Sequence, residues 1–258
     1  MTAFGVKPPL IGITTSGQQL TGNFSLPAVY ANAIRQAGGR PILLPPGESD
    51  PRFILELVDG VILSGGGDID PIIYNGFPHP TIYNIDTERD AFELALGQLL
   101  LATDIPVLGI CRGLEVLVVA DGGNLIPHIP DEFGNAIAHR SDQSHSTEHT
   151  VQIIPNSLLA NLVGVREMTV VSWHHQAVRT VPKRWRIVAQ ATDGVIEALE
   201  NECHPWMLGV QWHPELSIND PAQQGIFRGF VAAAANLDAK RNFYSDPLSL
   251  QLQRGADD

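Results

Sequence analysis

The sequence predicts an α/β fold with a doubly wound, mainly parallel sheet. Short apolar runs of strand length alternate with longer helical segments through the first half of the chain, and this alternation is typical of βαβ units. Right-handed crossovers would place helices on both faces of the sheet and functional groups at the carboxyl ends of its strands. A chain of 258 residues, 44% of them hydrophobic, can bury the core of one such domain.

Each element of this first half has its own local signal. The strand residues are apolar, as in buried parallel strands. Two helices begin at proline or at aspartate followed by proline, and two end at glycine pairs, which are common start and stop signals. The predicted strands are 10–14, 40–44, 60–64 and 106–110, and the predicted helices are 27–37, 51–57, 87–102 and 114–120.

The pattern changes after residue 124, where strands follow one another without long helices between them. We expect one last helix over 220–235 and a loose tail over about 239–258. No linker or repeat divides the chain, so residues 1–258 are expected to form a single domain. The predicted strands of this half are 150–154, 168–173, 186–191, 195–199 and 207–212.

Composition excludes several classes of function. The net charge of -12 argues against a nucleic-acid partner or an anionic membrane surface. The two cysteines, Cys111 and Cys203, are expected to be free thiols in a reducing compartment, although one disulfide is left open. No signal peptide and no apolar run of membrane-spanning length stand out, so cytoplasm is the expected location.

Cys111 lies between a predicted strand and a predicted helix, within Gly109-Ile-Cys-Arg-Gly113. Small residues on either side let the two backbones approach, as around the serine of G-x-S-x-G hydrolases. The helix N-terminus would favour a thiolate, and the backbone N–H of Arg112 would face an oxyanion. The alternative is a buried core cysteine, because free cysteine is among the most buried residue types.

Trp212-His-Pro-Glu215 follows the last predicted strand and offers a base and an orienting carboxylate for a cysteine nucleophile. On an extended segment His213 and Glu215 would point to the same face, and Pro214 biases His213 toward that geometry. The alternative is an exposed strand end that happens to carry a histidine and a glutamate.

Ser64-Gly-Gly-Gly-Asp68 ends the third predicted strand and could bring backbone N–H groups close to a ligand. It lacks the G-x-G-x-x-G pattern, so a dinucleotide site is not expected, and a plain glycine turn is the alternative. The nine histidines raise the question of a metal. However, His174 and His175 are adjacent, His139, His145 and His149 are spread along a polar segment, and neither C-x-x-C nor H-E-x-x-H occurs. We therefore expect no metal and no cofactor.

Taken in order, the three motifs at Ser64, Cys111 and Trp212 resemble the class I glutamine amidotransferase family. The resemblance is closer to its free-standing γ-glutamyl hydrolase branch, typified by γ-glutamyl-γ-aminobutyrate hydrolases, and covers residues 10 to about 235. Four further stretches carry it: Gly66-Gly-Asp-Ile-Asp-Pro71, Asp86-Thr-Glu-Arg-Asp90 with Glu93, Ser172-Trp-His-His-Gln-Ala177, and Asp193-Gly-Val-Ile-Glu197.

The resemblance implies a flavodoxin-like fold with a small added β layer and hydrolysis of a γ-glutamyl amide through a thioester, as in the catabolism of polyamine-derived amines. The expected partner is the γ-glutamyl amide substrate; we expect no nucleic-acid or membrane partner, and a homodimer stays open. The implied roles are nucleophile for Cys111, base for His213, orienting group for Glu215, oxyanion donors for Gly66 and Arg112, and substrate contacts for Gly67, Glu115, His175 and Gln176.

The chain departs from the family at Glu115 and Val118, where a glutamine and an asparagine are usual, and at Pro127-His128, where Gln-Asp is usual. A carboxylate at position 115 would oppose a substrate carboxylate and the thiolate. We therefore expect weak activity on ordinary γ-glutamyl amides and a gain in Glu115→Gln. Two other functions stay open: a glutaminase subunit that delivers ammonia to a synthetase, and a non-catalytic regulator on the same scaffold.

Overall fold

The computed structural model describes residues 7–18 and 22–245 of the chain, with side chains as far as Leu237. Short 3-10 turns occur at Pro51–Phe53, Pro71–Tyr74 and Pro214–Ser217. The strands are β1 Leu10–Thr14, β2 Arg40–Leu44, β3 Gly60–Leu63, β4 Val107–Ile110, β5 Asn124–Ile126, β6 Thr147–Ile153, β7 Glu167–Ser172, β8 Ala177–Thr180, β9 Trp185–Ala191, β10 Ile196–Asn201 and β11 Met207–Val210. The helices are α1 Ala28–Gln36, α2 Ile54–Leu57, α3 Thr87–Leu100, α4 Arg112–Ala120, α5 Ile129–Phe133, α6 Leu158–Val163 and α7 Pro221–Ser245.

A nine-stranded sheet in the order β2-β1-β3-β4-β11-β10-β9-β6-β7 runs through the protein. The first five strands of that order pair in parallel, and the remaining pairs are antiparallel. β5 and β8 form a separate two-stranded sheet. The predicted doubly wound α/β fold is confirmed, and most of the added strands extend the central sheet.

Two hydrophobic cores lie on opposite faces of the sheet. One contains residues of α1, α6 and α7, and the other contains residues of α2, α3 and α4. Every residue of β3, β4 and β11 is buried, because helices cover the central parallel strands on both sides. None of the described helices combines the length and the apolar character needed to cross a membrane.

Several elements differ from the prediction. β5, β8, α5 and α6 were missed because each has only three to six residues, too few for a clear hydrophobic period. The tail was predicted to be loose from about residue 239, which is wrong as far as Ser245, where α7 ends. No glycine or proline interrupts the chain between Gly229 and Pro247, so the helix continues. Residues 246–258 lie outside the described part of the chain.

Gly109 and Gly113 allow α4 to pack directly against the sheet. A Cβ atom at Gly113 would lie 2.0 Å from the carbonyl oxygen of Leu63, and one at Gly109 would lie 2.7 Å from that of Gly113. Both obstacles are backbone atoms, one of β3 and one of α4, which cannot move without disturbing the sheet or the helix. These glycines therefore set the distance between the helix that follows Cys111 and the strands beneath it.

Gly113→Ala should prevent folding, or destabilise the protein more than Gly38→Ala does. Gly38 has a φ of +93° with no atom within 4 Å of an added Cβ, so its substitution costs only backbone strain, on the order of 1–3 kcal/mol. Urea unfolding of the two variants measures the difference. Equal free energies of unfolding would show that the contact between α4 and β3 is not limiting.

Candidate active site

Cys111 stands alone between the last residue of β4 and the first residue of α4. Its φ is 52° and its ψ is −110°, a conformation that non-glycine residues rarely adopt and that concentrates at functional sites. The residue is 6% exposed. Both cysteines of the chain are free, and Cys203 is exposed. The turn holds the sulfur at the carboxyl edge of the central strand, at the N-terminus of a nine-residue helix.

His213 reaches the same edge because β11 pairs in parallel with β4. Its Nδ1 atom lies 2.6 Å from Oε1 of Glu215, and the ring lies near Cys111, because a Cβ atom added at Gly65 would be 3.0 Å from His213 Cε1 and 3.7 Å from Cys111 Cβ. Glu215 does not lie on the expected extended segment. Residues 214–217 form a 3-10 turn, because Pro214 is favoured at the first position of a helical turn. That turn folds the carboxylate back onto the ring.

Burial and charge act in opposite directions on this pair. Burial raises the pKa of the Cys111 thiol and outweighs the lowering effect of His213, contrary to the thiolate expected from the helix N-terminus. Burial alone would lower the pKa of His213, but Glu215 and then Cys111 raise it well above its ordinary value. The carboxylate of Glu215 therefore makes the His213 imidazole a stronger base for the thiol proton.

Buried ion pairs support the Cys111 turn from below. The Arg112 guanidinium binds Asp90, at 2.5 Å, and Glu93, both from α3. Arg89 binds Glu93 at 2.9 Å and donates from Nη2 to the carbonyl oxygens of Ser64 and Gly65, at 3.1 and 2.9 Å. One network of charges thus connects α3, the Cys111 turn and the glycine segment after β3.

The three glycines after β3 fit closely against this network. A Cβ atom at Gly66 would lie 2.1 Å from Nη1 of Arg89, and one at Gly67 would lie 2.3 Å from the carbonyl oxygen of Asn84. At Gly65 it would lie 3.0 Å from both His213 Cε1 and the Tyr30 hydroxyl. The segment therefore needs glycine to lie between Arg89, His213 and Cys111.

An open cleft of about 1060 Å³ adjoins the sulfur. Three acidic or polar side chains, Asp86, Glu88 and Gln143, lie along it together with Trp173, whose ring centroid is 6.3 Å from that of His213. Its walls also include most of the residues singled out in the sequence: Gly66, Gly67, Cys111, Arg112, His213 and Glu215. The cleft is large enough for a small molecule.

The other three predicted substrate-binding residues lie behind the cleft wall. Glu115, His175 and Gln176 are each at most 3% exposed and do not line the cleft. His175 Nε2 is 2.9 Å from Oδ2 of Asp68, and Gln176 approaches the Tyr74 hydroxyl at 3.5 Å. Direct substrate contact by these three residues stays a prediction that would need the wall to open.

Glu115 faces Gln211, whereas the guanidinium of Arg112 binds Asp90 and Glu93. Gln211 donates from Nε2 to Glu115 Oε1 at 3.0 Å, and the same nitrogen is 3.9 Å from the Cys111 sulfur. Burial, followed by the charge of Asp68, raises the pKa of Glu115 to about 7. The uncharged acid is therefore far more favoured near neutral pH than it is for an exposed glutamate.

Two residues of the site were missed from the sequence. The hydroxyl of Tyr30 accepts a hydrogen bond from the backbone N–H of Gly65 at 3.1 Å, and Gln211 lies beside the sulfur. Tyr30 is part of the apolar face of α1, so only its hydroxyl distinguishes it in the sequence from an ordinary core residue. Gln211 is a polar residue at the end of an apolar strand, a signal that could have been followed.

The replacement Glu115→Gln should stabilise the protein at pH 8 but much less at pH 5. The folded-state pKa of about 7 exceeds the ordinary 4.5, so the folded state binds more protons between these values and wild-type stability falls as pH rises through this range. The difference of about 2.5 in pKa corresponds to on the order of 3 kcal/mol at pH 8. Glutamine keeps the acceptor for Gln211 but cannot ionise.

Chemical denaturation at the two pH values measures this effect, with Glu132→Gln as the matched control because Glu132 pairs with Arg179 at the surface. A Glu115→Gln gain that is the same at pH 5 and pH 8 would contradict a buried, titrating carboxyl group.

Known proteins share both the sequence pattern and the fold. The Peptidase C26 family model matches residues 9–215. A protein provisionally named as a glutamine amidotransferase from Mycobacterium tuberculosis is 38% identical over 92% of this chain and 79% of its own length. The γ-glutamyl-γ-aminobutyrate hydrolase PuuD of Escherichia coli K12 is 34% identical over 90% of this chain and 96% of its own length.

Among solved structures, the glutaminase domain of Trypanosoma brucei CTPS with bound acivicin superposes with a TM-score of 0.59 at 17% identity. The match covers 88% of this chain and 94% of that one. At that identity the likeness concerns the fold alone, and it agrees with the α/β architecture described above. The family match and the relatives extend over most of the sequence. The chain therefore belongs to the peptidase C26 family of glutamine amidotransferase-like hydrolases, as the resemblance implied.

Proposed function

We propose that the protein is a cysteine-dependent hydrolase of γ-glutamyl amides. The observation that carries the proposal is the strained turn at Cys111, which lines the same cleft as His213, while Glu215 pairs with Nδ1 of the His213 ring. A nucleophile, a base and an orienting carboxylate in this order are the parts that acyl transfer needs. The relatives named as γ-glutamyl-γ-aminobutyrate hydrolases suggest the acyl group.

In the proposed reaction His213 acts first as a base and then as an acid. His213 takes the thiol proton as sulfur attacks the γ-carbonyl carbon and a C–S bond forms. Backbone N–H groups of Arg112 and Gly66 would stabilise the oxyanion. The C–N bond then breaks while His213 donates the proton to the departing amine. Water, deprotonated by His213, attacks the thioester, the C–S bond breaks, and glutamate leaves as the thiol is restored.

The charge of the cleft favours amides of cationic amines. Asp86 and Glu88 line it, whereas the lining arginines Arg89 and Arg112 are already paired with buried carboxylates. A γ-glutamyl amide of a diamine would place its free ammonium group in a negative field. This supports a role in the breakdown of polyamine-derived amines. We place the enzyme in the cytoplasm, as a monomer or a homodimer.

Glutamine itself is the second candidate substrate, since the M. tuberculosis relative is named for it. A glutaminase subunit would hydrolyse glutamine and respond to a synthetase, whereas a free-standing hydrolase would act on substituted amides without a partner. A non-catalytic regulator would turn over neither. The weak activity expected from Glu115 stays a prediction, and protonation of this carboxyl group below pH 7 would reduce its effect.

Cys111→Ser should lower the rate of glutamate release from γ-glutamyl amides at least about a thousandfold, because the serine hydroxyl cannot form the acyl intermediate efficiently. Cys203→Ser is the matched control, since Cys203 is free and exposed, and should keep wild-type activity.

Glutamate release from glutamine, γ-glutamyl-γ-aminobutyrate and the γ-glutamyl amide of a diamine is measured at low and high salt. We expect the diamine amide to be preferred, with a preference that shrinks as salt screens the cleft.

Equal activity of wild type and Cys111→Ser would overturn the proposed function. Turnover of glutamine alone would support the glutaminase alternative, and no turnover of any of the three substrates would support a regulator.

A further inference from the structure

A second cluster of functional side chains lies outside the cleft. His139, His149, His174 and Glu197 come from four separate parts of the fold, and all four are buried. One ligand atom from each, three imidazole nitrogens and a carboxylate oxygen, lies within 4.8 Å of the others. These residues take no part in the acyl transfer proposed for Cys111.

In each histidine ring, the nitrogen that faces away from the cluster determines whether the nitrogen that faces the cluster carries a proton. His139 Nε2 faces Asp193 Oδ2 at 3.0 Å. His149 Nδ1 faces the carbonyl oxygen of Thr150 at 3.3 Å, and His174 Nδ1 faces that of Gln176 at 2.8 Å. Carboxylate and carbonyl oxygens only accept hydrogen bonds, so each of these nitrogens carries a proton. In a neutral ring the nitrogen that faces the cluster is then a bare lone pair.

The centre of the cluster therefore contains acceptors without donors. His139 Nδ1, His149 Nε2, His174 Nε2 and both oxygens of Glu197 are buried without a hydrogen-bond partner in the part of the chain that the structure describes. Buried polar atoms are nearly always satisfied. These four residues each direct at least one acceptor atom at the others, an arrangement that favours a cation between them.

A proton is a poor candidate for that cation. One proton on His139 would satisfy Glu197 but would leave His149 and His174 pointing lone pairs at the same carboxylate. Protonating all three rings would bury three positive charges against Glu197 and Asp193, at a large desolvation cost. A dication between three neutral histidines would balance the two carboxylates.

The spacing fits a tetrahedral metal. Bonds of about 2.0–2.1 Å from Zn²⁺ to nitrogen or oxygen give ligand–ligand edges of roughly 3.4 Å. Glu197 Oε1 lies 3.1 Å from His139 Nδ1, 3.4 Å from His149 Nε2 and 3.5 Å from His174 Nε2. Asp193, behind His139, is the outer carboxylate that metal-bound histidines commonly have.

We propose that His139, His149, His174 and Glu197 bind one Zn²⁺ ion, or a similar first-row dication, as a closed structural site. Four protein ligands leave no open position for a substrate or for reactive water. The sequence suggested no metal because these ligands are 10, 25 and 23 residues apart along the chain. Two lie on strands β6 and β10 and two lie in loops, and only the folded chain brings them together.

The site would hold one wall of the cleft in place. The carbonyl oxygen of His139 accepts hydrogen bonds from Ser172 Oγ, at 2.7 Å, and from the backbone N–H of His174, at 3.0 Å. Between these two residues lies Trp173, which lines the cleft. The backbone of Glu197 also accepts from Gln211, at 2.7 Å. The metal would thus join the polar segment before β6 to the strands that carry the cleft.

Metal content and thermal stability test the proposal without any activity assay. We expect wild type purified without added chelator to contain about one zinc ion per chain by mass spectrometry. Removal by a chelator should lower the unfolding temperature, and added Zn²⁺ should restore it. Substituted Co²⁺ should show the strong visible absorption of tetrahedral coordination.

Variants identify the ligands. Asp193→Asn keeps the acceptor that Val195 N–H uses and should weaken zinc affinity roughly 10- to 100-fold, whereas Glu197→Gln should abolish stoichiometric binding. His145→Gln is the matched control, because the exposed His145 side chain pairs with Asp142 in the same polar segment; this variant should bind zinc like wild type. If Glu197→Gln does not fold, the unfolding temperature of chelated wild type and the zinc affinity of Asp193→Asn still test the proposal.

Wild type without metal that also fails to bind added Zn²⁺ would overturn the proposal. So would zinc binding of the same affinity in Asp193→Asn and wild type, or chelation that leaves the unfolding temperature unchanged. None of these results bears on the hydrolase proposal, which the Cys111→Ser measurement tests separately.

Discussion

The conformation of Cys111 is the constraint on which the site depends. A residue with a side chain at φ 52° is strained and keeps this geometry only where its surroundings leave no alternative. Here β4 is paired on both sides, Gly113 lies against the backbone of Leu63, and Arg112 is tied to α3. The central sheet and helix α4 together hold the sulfur at the cleft.

The buried charges beside this turn explain why α3 carries Arg89, Asp90 and Glu93. Arg89, Asp90, Glu93 and Arg112 carry two positive and two negative charges, all nearly inaccessible to solvent. Such a network adds little net stability, but removing one member leaves an uncompensated buried charge. Its consequence here is geometric, because Arg89 also binds the carbonyl groups of the segment after β3. The glycine segment and the cysteine turn are therefore positioned by the same charges.

The parallel half of the fold could be predicted because each element carries a local signal. β3 and β4 are continuous apolar runs, and α3 begins at an aspartate that accepts from Arg89 N–H. The short elements β5, β8, α5 and α6 have no such period, and α7 continues past residue 235 because nothing in the sequence stops it. Cys111, His213 and Glu215 were recognisable from ordered motifs, although the 3-10 turn that brings Glu215 to His213 was not.

What the sequence could not show depends on contacts between distant residues. Three features arise from contacts between parts of the chain that are far apart in sequence: the burial that gives Glu115 a pKa of about 7, the Gly65 contact of Tyr30, and the convergence of His139, His149, His174 and Glu197. Linear spacing argued against a metal for the same reason. Such features follow from topology, which local patterns constrain only in part.

The most direct test of the account is the capture of an acyl group on Cys111 during the first turnover. Wild type is mixed with a γ-glutamyl amide, quenched in acid at successive times, digested and analysed by mass spectrometry. The account predicts a γ-glutamyl thioester on the peptide that contains Cys111, with none on the Cys203 peptide, appearing as the amine is released. Full release of the amine in the first turnover with Cys111 unmodified at every time point would contradict it.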